Sequence, residues 1–194
     1  LPLIGRPVGI RSPYLWASYH ITNTSAVKKA HQAGTLVFGT VDSWLLWHLA
    51  QEKKCVTTPT NATSAGAYCL NEHQYHLPWL QALNFPASLL PSLHDDADDF
   101  GTTCEDILGI SVPIRACAGD QFAGAIGLGC TERGQAFCMH GTGSFVNLMM
   151  GPTVPTLNKS CESTLTMTAR RQKGRSHFSV ETFVPTTGSA LNWV

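Results

Sequence analysis

Apolar positions recur at helical spacing through much of the first two thirds of the chain and at strand-like spacing through the last third. Residues 15–33 read as a helix interrupted at Thr22, Asn23 and Thr24. After a short apolar entry at 36–38, Thr40 is placed to cap a helix. In that helix Val41, Leu45, Leu46 and Leu49 form one face, at spacings of four, five and eight from the first. Trp44 and Trp47 are expected to pack. Residues 56–67 are polar and β-branched with Pro59 inside, a loop or edge segment in which the Asn61 side chain orders a turn. Residues 79–83 read as a short helix, and 105–108 as one helical turn stopped by Gly109.

Beyond residue 110 the pattern shortens. Val112, Ile114, Ala116 and Cys117 make a strand-like apolar run ending at Gly119-Asp120, and the small-residue segment 122–128 reads as a tightly packed helix. Residues 135–137 and 145–149 read as strands joined at Gly141-Thr142-Gly143. A meander continues through 144–150, a Pro-rich link, 163–169, a basic turn at 170–175 and 177–184, after which Gly188 opens a last helix. The pattern predicts an α/β half domain over residues 1–130 and the incomplete, β-rich start of a second domain over 131–194. A chain that starts at Leu1 and stops as a helix begins is expected to be part of a longer protein.

Charge narrows the function. Thirteen basic and thirteen acidic side chains leave no net charge to favour nucleic acid or an anionic membrane surface, so a small-molecule substrate is the expectation. Seven cysteines without C-x-x-C spacing and eight scattered histidines predict reduced thiols and no metal site. The longest apolar segment, 35–50, carries Asp42 and His48 and is too short to span a bilayer, and the expected setting is the cytoplasm. Asp95, Asp96, Asp98 and Asp99 lack the glycine and terminal glutamate of a calcium loop and read as a solvated acidic loop.

The chemistry concentrates between residues 114 and 145. Asp120 sits at a strand-to-helix switch, where a carboxylate serves either as a cap of the free N–H groups or as a reactive base. The glycines of Gly141-Thr142-Gly143 let backbone N–H groups approach an anion, although the same sequence also makes a plain turn. Asp42 falls in the first turn of its helix, where its charge suits the dipole, so a structural role is expected for it.

Taken with their flanks, these motifs resemble the FGGY carbohydrate kinases. The pairing of Ala118-Gly119-Asp120-Gln121 with His140-Gly141-Thr142-Gly143-Ser144-Phe145 is most similar to the glycerol kinases among them. Phe38-Gly39-Thr40-Val41-Asp42-Ser43-Trp44, Thr60-Asn61-Ala62-Thr63 and Gly188-Ser189-Ala190-Leu191-Asn192-Trp193 agree in order. The resemblance implies a ribonuclease-H-like (actin-like ATPase) fold, the second half of the first domain plus the start of the second. It also implies transfer of the γ-phosphoryl of ATP, used with Mg2+, to a polyol hydroxyl such as that of glycerol.

In that scheme Asp120 is the general base, and Tyr14, Gln121 and Phe145 meet the polyol together with it. Gly141, Thr142, Gly143, Gly188 and Asn192 then meet the nucleotide. The family's N-terminal phosphate loop, its Arg-Glu pair and its later adenine site are not found between Leu1 and Val194, so this polypeptide alone is expected to be inactive. The basic residue usual after the matched tyrosine is replaced by Trp16-Ala17-Ser18-Tyr19-His20. A sibling kinase for a pentulose, to which Gly124-Ala125-Ile126-Gly127-Leu128-Gly129 is similar, and a non-catalytic binding or remnant protein stay open. The parent's assembly, including a homo-oligomer, is open too.

Overall fold

In the computed structural model, which describes residues 4–5, 12–157 and 164–193, the first helical stretch is two helices, α1 (Pro13–Asn23) and α2 (Ser25–Gln32). Thr24 is extended between them. Side chains that bond back to the preceding turn accompany the break: Thr22 donates to the Ser18 carbonyl and Asn23 to that of Tyr19.

Helix α3 (Val41–Leu49) follows, but it does not bury the expected face. Asp42, Ser43 and Leu46 are inside, whereas Val41 is 74 % and Leu45 43 % exposed. Trp44 and Trp47 are also exposed, with Trp44 set against the His48 ring at 4.4 Å, while among the described residues strand β1 (Val56–Thr57) and Phe100 meet the helix on its Leu46 side. Pro59 does not break structure. It opens helix α4 (Pro59–Ala65), because at a first helical position its missing N–H would have had no intrahelical partner. Asn61 donates to Thr58 Oγ at 3.0 Å, which is the local ordering expected of it.

Short elements continue the chain: β2 (Tyr68–Cys69) and β3 (Gln74–Tyr75) form an antiparallel pair, then come α5 (Leu77–Ala82) and β4 (Ser92–Leu93), which lies parallel to β1. The turn α6 (Glu105–Leu108) stops at Gly109 in left-handed geometry, φ 68°. The run containing Val112, Ile114, Ala116 and Cys117 is extended but is not a named strand, which corrects the sequence expectation. Ile114 exchanges backbone hydrogen bonds with Phe100 and Gly101, while Pro113 beside it has no N–H to extend a ladder.

Helix α7 (Asp120–Gly127) leads into the main sheet, made of β5 (Ala136–His140), β6 (Ser144–Gly151), β7 (Leu165–Gln172) and β8 (Arg175–Val184). Helix α8 (Thr187–Trp193) ends the described chain. All pairs in this sheet are antiparallel, but the spatial order is β5-β6-β8-β7, not the expected meander. Lys173 and Gly174, both at positive φ, make the tight turn that holds β8 beside β7. The long connection after β6 lets β7 skip the neighbouring place and leaves it to β8. Ser163, where the third strand was expected to start, lies outside the described residues.

Met167 and Ala169 alternate with Thr168 along β7, so the sheet has two packed faces. On one, Phe122 and Ala125 of α7 join Phe137, Met149, Met167 and Ala169. Full burial of a side chain such as Phe122 stabilises by about 1.5–3 kcal/mol. In a second cluster Phe178 of β8 packs with Ala62, Tyr68 and Leu70. Helices α4 and α7 of the first 130 residues thus pack on a sheet that belongs to the last 60 or so.

The acidic loop and the basic hairpin are not merely solvated. Arg171 Nε lies 2.7 Å from Asp95 Oδ1, with both side chains mostly buried, and Asp95 also accepts the Gly174 N–H at 2.7 Å. Asp96, 7 % exposed, accepts the Arg171 N–H. Only Asp98 and Asp99 keep the exposed role expected of all four. Arg170 and Arg171 belong to β7, and the turn is confined to Lys173-Gly174.

Candidate active site

Gly119 is the N-cap of α7 in extended geometry, φ −60° and ψ 141°, and offers no side chain to the first turn. Asp120 is therefore the first helical residue. Its Oδ1 accepts the Gln121 N–H at 2.8 Å, while Oδ2 has no partner among the described residues and the side chain is exposed. One oxygen is pinned and the other is open, a geometry that serves a base better than a cap satisfying several amides. Gln121, next in the helix, is half-buried.

Small residues let α7 sit on the sheet, with Phe122 and Ala125 packed on its apolar face. That sheet is also the platform for the glycine turn. β5 and β6 pair from Ala136 with Leu148 to His140 with Ser144, leaving Gly141, Thr142 and Gly143 as the three-residue tip. The Gly141 N–H is spent inside the tip on the Gly143 carbonyl at 2.7 Å, so it is not available to an anion in this conformation. That narrows the expectation that all three residues present N–H groups. Thr142 is exposed at the apex.

Helix α8 closes on this tip. The Gly188 N–H donates to the Thr142 carbonyl at 2.9 Å, and Ser144 Oγ donates to Thr187 Oγ1 at 2.7 Å. A Cβ at Gly143 would stand 2.6 Å from the Phe183 ring, and one at Gly188 2.4 Å from the Gly141 carbonyl oxygen. Both glycines are required by close approach. Asn192 lies exposed one turn further along α8.

The other expected substrate residues diverge. Phe145 is half-buried on β6 and stacks on Phe183 with ring centroids 4.6 Å apart. Tyr14 is 1 % exposed, its ring set against Phe38 at 4.9 Å and Phe85 at 5.3 Å. Burial holds its phenol well above the usual tyrosine range. Tyr14 is thus packed in the core, as its residue type alone favours, and the substrate contact is what the resemblance implies for it. It belongs to a different apolar cluster from the one beneath α7.

Three polar groups inside the fold were missed or only partly foreseen. Asp42, 6 % exposed, accepts the Thr40 hydroxyl and, at 2.7 Å, that of Thr57, so it ties α3 to β1. This is the structural role expected of it. Asn147, fully buried, donates to Glu181 Oε2 at 3.1 Å across the β6–β8 pair. Asp96 collects donors from Thr60 and Arg171, and its burial pushes the carboxyl up while those hydrogen bonds pull it down. Nothing local announced the last two, since their partners lie 34 and 75 residues away. Among the described residues no three His, Cys, Asp or Glu side chains converge as a metal shell, and no helix is long and apolar enough to cross a membrane.

Known proteins resemble this chain in both sequence and fold. Residues 16–127 match the model of the FGGY family of carbohydrate kinases, N-terminal domain. The glycerol kinase of Alcanivorax borkumensis is 35 % identical over 185 residues, covering 94 % of this chain and 36 % of its own length. That of Allorhizobium ampelinum is 37 % identical over 179 residues, with 92 % and 35 % covered. The chain thus spans little more than a third of the curated relatives it matches. Among solved structures, Plasmodium falciparum glycerol kinase with ADP superposes with a TM-score of 0.87 at 24 % identity, over 99 % of this chain and 38 % of that one. Xylulose kinase from Lactobacillus acidophilus gives 0.78 at 18 %, over 98 % and 37 %. With its fold shared by the sugar kinases of ribonuclease-H-like, actin-like ATPase architecture and its sequence matched over more than half its length, the chain belongs to the FGGY family of carbohydrate kinases.

Proposed function

We propose that the chain forms part of an ATP-dependent polyol kinase that transfers the γ-phosphoryl group to a hydroxyl of glycerol, giving glycerol 3-phosphate. The observation that carries this is Asp120, with Oδ1 held by the Gln121 N–H and Oδ2 open at the start of a helix seated on the same sheet as the glycine hairpin. The open oxygen takes the hydroxyl proton as that oxygen attacks phosphorus, and Gln121 and Phe145 border the polyol. Positioning and charge neutralisation supply most of the catalysis in such transfers. Glycerol kinases at 33–37 % identity support glycerol over a pentulose.

The reading gives the phosphates to the hairpin tip, where Thr142 offers an exposed hydroxyl while Gly141 spends its own N–H on the Gly143 carbonyl. Gly188 and Asn192 border the same nucleotide from α8. Mg2+ would accompany the nucleotide and help to neutralise the charge on the transferred phosphoryl group. We place the substrate-domain part at residues 1–130 and the nucleotide-domain part at 131–194, a division supported by the family match ending at residue 127. The 194-residue polypeptide alone is expected to lack turnover, and the whole protein to work in the cytoplasm.

Asp120→Asn in the whole protein tests the reading. It keeps the acceptor for the Gln121 N–H and removes the base, so turnover with glycerol and ATP should fall by roughly 10² to 10⁴ while nucleotide affinity holds. Activity near the parent's in a folded variant would reduce Asp120 to a cap, since Asn caps about as well as Asp.

A further inference from the structure

The backbone that delivers Asp120 has no continuous strand ladder to hold it, yet it is tied at separate points. The Ile114 N–H donates to the Gly101 carbonyl at 2.8 Å, the Cys117 N–H to the Asp96 carbonyl at 2.9 Å, and the Gly119 N–H to Thr60 Oγ1 at 2.9 Å. Nearest Asp120, both holding groups trace to one residue. Asp96 supplies the first carbonyl itself, and its Oδ1 accepts the Thr60 hydroxyl at 2.6 Å.

The proton count makes that last bond directional. A threonine hydroxyl has one proton, and an ionised carboxylate only accepts, so Thr60 donates to Asp96 and turns a lone pair to Gly119. Without the carboxylate the hydroxyl is free to rotate, and the Gly119 N–H loses a fixed acceptor. Asp96 is itself clamped at two points on β7: its N–H donates to the Arg171 carbonyl at 2.9 Å and its Oδ2 accepts the Arg171 N–H at 2.6 Å. At 7 % exposure it has little water to exchange with.

We infer that Asp96 is a positioning residue for the Gly119–Asp120 turn, acting through the Thr60 hydroxyl and its own carbonyl and transmitting the position of β7 to the base. The inference rests on the reading of Asp120 as general base. It assigns no contact between Asp96 and substrate.

Three substitutions in the whole protein test it, each assayed with glycerol and ATP. Asp96→Asn cannot accept from both Thr60 and Arg171 as a carboxylate does, and Thr60→Val keeps the shape while removing the hydroxyl. Each should lower kcat by up to roughly 10²-fold, the scale of a displacement of about 1 Å, with KM for glycerol and for ATP within about twofold. Thr60→Ser retains the hydroxyl and should recover most of kcat. Hydrogen exchange at the Gly119 amide should be fast in Thr60→Val and slow in the parent and in Thr60→Ser.

Combined with Asp120→Asn, Thr60→Val should add little further loss, because the group being positioned is gone. A loss that multiplies in the double variant, or equal kcat for Thr60→Val and Thr60→Ser, would overturn the inference. If Asp96→Asn does not fold, the valine and serine variants at position 60 decide alone. Full activity of Asp120→Asn by itself would instead overturn the reading of the base, an outcome separate from either of these.

Discussion

The Gly188 N–H donates to the Thr142 carbonyl at 2.9 Å, so the first turn of α8 rests directly on the tip of the β5–β6 hairpin. A methyl group at 188 would meet the Gly141 carbonyl oxygen at 2.4 Å, and that neighbour is backbone, which cannot rotate aside. Gly188→Ala should therefore cost about 1–3 kcal/mol, as overpacking does, and weaken nucleotide binding by displacing the tip. Gly141→Ala, whose nearest neighbour would stand at 3.7 Å, should cost far less stability. Urea unfolding compares the two, and equal losses would show that the contact is not the constraint.

Acid sensitivity should have a contribution from His73. Its ring is held below the ordinary value of 6.5 by burial first and by the Arg171 charge second. The folded state then prefers the neutral ring, and the unfolded chain takes the proton first. Stability from this group is complete above pH 6.5 and is lost as pH falls from there through the lower folded value. His73→Asn, which tolerates the residue's φ of 51°, should flatten that part of a Tm-against-pH curve. An unchanged slope would assign the acid response elsewhere, with His177, shifted in the same direction by burial and Arg170, the next position to substitute.

Thiol reactivity should separate two cysteines close to the site. Burial pushes the Cys117 thiol up to about 12, and the Asp42 and Asp96 carboxylates add to the shift, so almost none of it is thiolate at pH 8. Cys138 is exposed on β5, its sulfur 3.8 Å from His140 Nδ1. A short iodoacetamide pulse followed by peptide mass spectrometry should label Cys138 well before Cys117. Early labelling of Cys117 would mean that the stretch leading to Asp120 opens from Asp96.

Much of the local structure was legible, and the failures share a cause. Gly109 stopping α6, the small-residue helix after Asp120 and the turn at Gly141 to Gly143 each depend on residues a few positions apart, where period and turn chemistry act. Pro59 was misjudged because a proline that breaks one helix also starts another, and the choice depends on what precedes it. On α3 the apolar residues outnumber what one face can hold, so periodicity left the buried side undecided. Tyr14 reads as a core residue from its type alone, but an aromatic residue after a proline gives no sign that Phe38 and Phe85 are the rings that close around it.

The sequence by itself determined the stop at Gly109, the helix after Asp120, the turn at Gly141 to Gly143 and the family to which these motifs belong. Tertiary structure alone decided that β8 lies between β6 and β7, that Asp95 meets Arg171, and that Asp96 and Thr60 hold the turn before Asp120. The division follows from range. Backbone torsions and turn preferences are set by neighbours in the chain, whereas a buried carboxylate is stabilised by whichever donors the fold brings to it, here from 36 and 75 residues away.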